Sequence, residues 1–433
     1  MDSKALPSPL RGNSCADARS GMRVRWRAKP EVDEFTTAAN GFTASWARTH
    51  DEGNVVFSGV GCWALLALLA SAADGPARSE LESAVGVPPE RALDAASNVM
   101  RRLDGTPGVH AALGLWSKAV LDPTWLDNSP LGVVGDLTGD PAADKQRINA
   151  WAAKATNGEI RSLPIDLSAD TLIVLATGLL VETAWTERFD ERPGSWMGRP
   201  ASWLEKMTAD LDAVRVVATE VGATTLLSVP GRDELDVHLV HAQPAADPGE
   251  VLAAGIGALA SPDTIFGTDL PDGYQGPGVR VERERSADPG DLLVVGVPAF
   301  RLQASHDLLK HAGVFGLQTA TRSDVEAGHF PGMSAEPLCV DQAVQEATAE
   351  FSKGGFRAAA VTAIVMDLPD IAGLEPEPRR SYTVRRIIVR FDHPFGFVVT
   401  HRSSALVLAA GWVDEPLSSE GWRDAAQEFW ELG

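Results

Sequence analysis

From Phe35 to about Ala70 apolar residues recur at helical spacing, interrupted by Gly53, Asn54 and the short burst VVFS. The pattern predicts a helix, a brief strand and a second helix that includes CWALLALLASAA. INAWAAKATNGEI, Ile148 to Ile160, is amphipathic and stops at Asn157 and Gly158, the residue types that best accept a left-handed conformation after a helix. LIVLATGLLVETAW, Leu172 to Trp185, is a long apolar run, as expected of a strand buried on both faces. Strand patterns then multiply. TTLLSVPGRDELDVHLVHA, Thr224 to Ala242, reads as a hairpin split by PGRDE. LLVVGVPAFRLQA is a strand pair or one long strand with a proline bend, and IIVRFDHPFGFVV and ALVLAAGWV continue the theme. A helix-rich first part and a strand-rich second part predict an α+β fold rather than alternating βαβ units.

Composition narrows the function classes. The chain has 433 residues, 44% hydrophobic and 22% charged, as in an ordinary globular protein. A net charge of -21 argues against nucleic acid or an anionic membrane as main partner, because phosphate binding needs clustered positive charge. Cys15, Cys62 and Cys339 form no CxxC pair, and the latter two sit among apolar neighbours as buried thiols do. No apolar run is long enough to span a bilayer. Residues 1–33 are Arg-rich and Pro-spaced without the apolar centre of a secretory signal, so a disordered leader, or initiation at Met22, is expected. The missing signal suggests a cytoplasmic location, or an extracellular one if the true start differs. Residues 417–433 carry Trp422, Phe429 and Trp430 near helical spacing, as in a short helix packed on a single body of residues 34–416.

Searches for catalytic motifs fail. There is no HExxH, GxSxG or P-loop. GIGALA, Gly255 to Ala260, fits a dinucleotide fingerprint formally but lies within a helical run with no strand leading into it. His238 and His241 are close in sequence, yet positions three apart on a strand face opposite sides, so satisfied or exposed histidines are expected rather than a metal site. Ser58 has no evident base beside it. No catalytic residue, cofactor or metal is expected, and an enzyme is the weaker hypothesis.

Several segments converge on one family. NVVFSGVGCWALLALLASAADGPARSEL, Asn54 to Leu81, resembles the serpin segment in which a short strand ending in Ser enters an Ala- and Leu-rich helix. INAWAAKATNGEI and LIVLATGLLVETAWTERF, with Trp185 and Phe189, resemble that family's helix and long central strand. VPAFRLQASHDLLKHAGVFG and FDHPFGFVVTHRSSALVLAAGWVDEP are similar to its Pro-x-Phe strand and its terminal hairpin. The matches come in family order from Phe35 to Pro416. The resemblance implies a divergent, bacterial-type member: a large central mixed sheet, smaller additional sheets, eight to nine helices and an exposed reactive-centre loop.

LCVDQAVQEATAEFSKGGFRAAAVT, Leu338 to Thr362, is similar to the strand and hinge that lead into that loop. In the family the loop is bait for a protease. After cleavage it inserts as a new strand in the central sheet and carries the acylated enzyme with it. The implied hinge is Gly354, Gly355, Phe356, Arg357, Ala358, Ala359, Ala360, Val361 and Thr362. A segment of this kind needs small side chains on the entering face and no proline in the ladder. Ala358, Ala360 and Thr362 share one face at strand period, and Gly355 supplies a backbone free to turn. Taken alone, the alanine triplet would suit an ordinary edge strand or a helix. Phe356 departs from the pattern: it shares the entering face, and overpacking a formed core costs about 1–3 kcal/mol.

The resemblance also implies a sheet-opening region at Ser58, Thr177, Trp185 and Gln345. Here Gly59 and Gly61 replace the usual Pro and Ser, Thr177 the usual Asn, and Gln345 the usual His. The usual loop length sets the scissile bond near Leu368, Pro369 and Asp370, and Met366 or Leu368 would suit a subtilisin- or chymotrypsin-like enzyme. Arg379 and Arg380 would suit a trypsin-like enzyme instead, or simply belong to a solvated loop. Two function classes follow. One is a monomeric inhibitor of a serine or cysteine protease, of trypsin-like or subtilisin- or chymotrypsin-like specificity, with one inhibitor consumed per protease. The other is a serpin-fold binding or structural protein that has lost fast insertion.

Overall fold

A computed structural model of the chain describes residues 26–27, 32–130, 133–158, 160–323, 328–357 and 381–416. Six helices come early: α1 (Glu34–Ala47), α2 (Gly59–Ala72), α3 (Gly75–Val85), α4 (Pro89–Asp104), α5 (Pro123–Asn128) and α6 (Pro141–Ala155). A seventh, α7 (Pro248–Ala258), follows among the later strands. These seven α-helices among the described residues fall slightly short of the expected eight to nine. Local chemistry sets their limits. Asp33 caps α1 by accepting the Thr36 N–H, and Asp140 caps α6 with Pro141 in the first turn. Asn157 and Gly158 end α6 with φ of 51° and 88°, as the sequence predicts. GIGALA lies mostly within α7, where Gly255 lets the helix close on Val240.

Three sheets carry the fold. The central six-stranded sheet runs β14 (Phe300–Asp307), β15 (Gln342–Phe351), β16 (Gly355–Arg357), β4 (Ile173–Ala184), β2 (Val109–Ser117) and β3 (Val133–Asp136). It is mixed, because β15 and β4 pair in parallel, as do β2 and β3, while the other neighbours are antiparallel. A seven-stranded sheet runs β1 (Val55–Phe57), β19 (Leu406–Val413), β18 (Phe395–His401), β9 (Leu235–His241), β8 (Gly222–Pro230), β7 (Val214–Thr219) and β10 (Thr264–Phe266). The third runs β11 (Gln275–Gly276), β12 (Val279–Ser286), β17 (Tyr382–Arg390), β13 (Leu292–Pro298), β6 (Arg199–Thr208) and β5 (Asp190–Trp196). LLVVGVPAFRLQA thus splits at Ala299 into β13 and β14, which belong to different sheets.

The double burial expected of β4 has two distinct sources. Ile173, Leu175 and Val181 join the main core, which includes almost the whole of α2. Val174 and Ala176 face a second cluster made by Ile148 and Ala152 of α6, Ile160, Leu163 and Ile165 after it, Trp116 of β2 and Val344 of β15. An all-apolar helix such as α2 is stable only when enclosed on every side. The Trp26 indole N–H donates to Asp210 at 2.6 Å, and Arg27 donates to Asp212 at 2.9 Å and Asp269 at 2.8 Å. These two residues fall within the expected disordered leader, yet they dock on the body. No helix among the described residues is long and apolar enough to cross a membrane.

Candidate functional site

The site begins where β15 and β4 diverge. Their parallel pairing runs from Gln342–Val174 to Gln345–Thr177 and then stops. At the far end of the strands β16 fills the space between them: Arg357 lies opposite Glu350 and Glu182, and Phe356 opposite Phe351 and Thr183. Between these regions Glu346 to Ala349 on β15 and Gly178 to Val181 on β4 have no described strand between them. At about 3.3 Å per residue the gap is roughly 13 Å long.

Phe356 is 1% exposed and packs its ring 5.8 Å from that of Phe397. The overpacking expected from the sequence is therefore absent, because the ring already occupies a fitted place in the core. Gly355 also has a different role from the expected one. It does not adopt a positive φ; instead, a Cβ there would collide with the Thr183 carbonyl oxygen, so only glycine lets β16 approach β4. Gly354 accepts the Trp185 N–H at 3.1 Å, and the Trp185 indole donates to the Ser352 carbonyl at 2.8 Å. Arg357 donates to Glu182 on the facing strand. Ala358, Ala359, Ala360, Val361 and Thr362 lie outside the described residues, as do Met366, Leu368, Pro369, Asp370, Arg379 and Arg380.

A second constellation closes the sheet where β15 and β4 still pair. The Gln345 side-chain oxygen accepts the Ser58 N–H at 2.7 Å, and its amide donates to the Ser58 carbonyl and to Thr177 Oγ1, both at 3.0 Å. Ser58 stands at the N-cap of α2, but its hydroxyl donates to the Leu408 carbonyl at 2.7 Å and caps nothing. One buried amide thus joins β15 to β4, α2 and, through Ser58, β19. Of the two glycines beside it, Gly59 lets α2 approach Thr43 of α1, while Gly61 borders Thr177 without needing to be glycine. A Cβ on Gly61 would touch Thr177 at 3.4 Å, and one on Gly59 would collide with Thr43.

Ser58, Thr177 and Gln345 come together as the sequence expectation groups them. Trp185 does not join them; it lies about 26 Å farther along β4 at ~3.3 Å per residue, and serves the hinge end. Cys62 was not singled out for this region, yet its sulfur lies 3.3 Å from the Gln345 amide. Burial pushes its thiol pKa up to about 12. Only its place on the first turn of α2, one turn after Ser58, could have signalled that contact. The expectation for the histidines divides. His238 is buried and satisfied by Ser228 at 2.8 Å and Thr400 at 3.0 Å, whereas His241 is buried with no hydrogen-bond partner for either ring nitrogen among the described residues.

The sequence matches the family described as Serpin (serine protease inhibitor) over residues 36–195 and 281–416. The chain belongs to the serpin family. This serpin is 27% identical over 405 residues to Serpin-Z2B of Oryza sativa subsp. japonica, covering 85% of this chain and 92% of that one. It is 25% identical over 390 residues to Serpin-Z1A of Triticum aestivum, covering 84% and 91%. Among solved structures it resembles thyroxine-binding globulin in complex with thyroxine, with a TM-score of 0.67, 19% identity and coverage of 88% of this chain and 99% of that one. It also resembles Serpin48 of the insect Tenebrio molitor, with a TM-score of 0.64, 20% identity and coverage of 88% and 98%. The structural likenesses establish the serpin fold. The relatives are plant proteins and give the expected bacterial type no support.

Proposed function

We propose that this serpin is a protease inhibitor that is consumed once, by cleavage of its loop and insertion of the hinge strand into the gap between β15 and β4. One observation carries the proposal: the sequence beyond β16 matches the gap row by row. Continuing the register of β16 sets Ala358 against Val181 and Ala349, and Ala360 against Leu179 and Ala347. These are small side chains entering apolar rows. Thr362 then meets Thr177 and Gln345, the polar row of the clamp, where its hydroxyl can replace the bond it interrupts. Ile364 returns to an apolar row with Leu175 and Ala343. An inserted strand would also supply ladder partners along the gap, each net hydrogen bond being worth about 1 kcal/mol. Phe356 is no obstacle to this sequence of steps, since its ring is seated before insertion begins.

The test is incubation with trypsin-like, chymotrypsin-like and subtilisin-like proteases. The expected result is a covalent complex that survives SDS, with a released C-terminal peptide whose mass assigns the scissile bond among Met366, Leu368, Pro369, Asp370, Arg379 and Arg380. Ala360→Arg, which sets a charge on the entering face, should convert the inhibitor into a substrate. Loop cleavage with no complex and no rise in thermal stability would overturn the proposal and leave the non-inhibitory binding or structural protein.

A further inference from the structure

His241 ends β9 with 3% exposure, in a slot between the Phe391 ring, 5.5 Å away and edge-on, and Gly278. A Cβ on Gly278 would come within 3.3 Å of the imidazole Cγ and Nδ1, so this position leaves room for the ring. Neither nitrogen has a hydrogen-bond partner among the described residues, which is unusual for so buried a polar group. The segment between β17 and β18 brings Asp392 and His393 to the same place. Both are about half exposed, with His393 Nδ1 2.8 Å from Asp392 Oδ1. Ligand atoms of all three residues lie within 4.8 Å of one another.

We propose that His241, Asp392 and His393 form a zinc site that ties the end of β9 to the β17–β18 connection. Two imidazoles and one carboxylate make a donor set suited to Zn²⁺ and unlike the all-oxygen sets of Ca²⁺ or Mg²⁺. Bonds of about 2.0–2.1 Å in a tetrahedron place donors roughly 3.3 Å apart. Rotation of the two exposed side chains closes the cluster to that size, while His241 stays fixed in its slot. The second carboxylate oxygen of Asp392 remains available to orient His393, and the fourth position opens to water. The HxxH spacing on β9 is not the site, since His238 is engaged by Ser228 and Thr400.

The test is titration of the tag-free protein with Zn²⁺ followed by calorimetry, and with Co²⁺ followed by visible absorption. One metal per chain, tetrahedral Co²⁺ bands between roughly 500 and 700 nm, and a rise in melting temperature reversed by chelator are expected. His393→Ala and Asp392→Ala change exposed side chains and should each weaken Zn²⁺ binding at least about tenfold. His241→Gln should abolish the Co²⁺ bands; if that variant does not fold, the two exposed variants carry the test. Absence of the bands in the parent protein, or Zn²⁺ affinity within about twofold of the parent in both exposed variants, would overturn the site.

Discussion

Replacing Phe356 by alanine separates two accounts of the hinge. In the structure the ring is fully enclosed at the head of the gap, beside Phe397 and opposite Phe351 and Thr183. Deleting such a ring costs about 3–5 kcal/mol. For a folded body of roughly 380 residues, an unfolding entropy of ~2.1 cal/mol/K per residue gives about 0.8 kcal/mol per degree. Phe356→Ala should therefore lower the melting temperature by about 4–6 °C, read by calorimetry and cross-checked by the urea midpoint. The ring's place requires no change on insertion, so native and loop-cleaved forms should lose similar stability. Protease capture should change less than about threefold for the same reason, which is under ~0.7 kcal/mol in the barrier. If the ring instead waited in solvent and blocked the first step, the native protein would shift by less than about 0.5 kcal/mol and capture would accelerate. That pair of results would refute the seated hinge.

Gln345→Ala removes the acceptor of the buried Ser58 N–H and the bond to Thr177, and leaving one buried group unmatched costs about 1–3 kcal/mol. A melting temperature lower by about 1–4 °C is expected, and an unchanged one would contradict the clamp. Gly59→Ala should destabilise more than Gly61→Ala, because the first Cβ collides with Thr43 while the second only touches Thr177; equal urea midpoints would refute this. Burial alone would raise the pKa of Asp212, but hydrogen bonds from Arg27 and Thr268 carry it below the ordinary carboxylate value. Its folded pKa lies below its unfolded one, so its stabilisation is present above about pH 4 and is lost as pH falls through the folded value. Melting curves of Asp212→Asn from pH 6 downward should show a flatter acid limb than the parent, and an identical limb would count against the Arg27 anchor. Cys62, with its thiol held near 12, should resist an aromatic disulfide reagent at pH 8 in the folded protein; rapid labelling located to Cys62 by mass spectrometry would show that α2 opens there.

Periodicity alone marked α1, α2, the end of α6, the doubly buried β4 and the β8–β9 hairpin, because each follows from residues adjacent in the chain. The order of these segments and the serpin-like motifs carried the family. The face of Phe356 was also legible, since alternation fixes which residues share a side.

Its consequence was not legible. Whether an aromatic ring obstructs or fits depends on Thr183, Phe351 and Phe397, which reach it from three separate strands. The same holds for Gln345. Its residue type was visible as a departure from the family, but its bonds to Ser58 and Thr177 span separations in sequence that no local pattern encodes. His241 is the sharpest case. Strand alternation correctly separated it from His238, yet its neighbours Asp392 and His393 come from a connection far along the chain. The sequence by itself determined the strongly periodic elements, their order and the family, because those are written in short-range pattern. Tertiary packing decided the depth of the hinge, the clamp and the histidine cluster, because each is a meeting of side chains from elements that only the folded chain brings together.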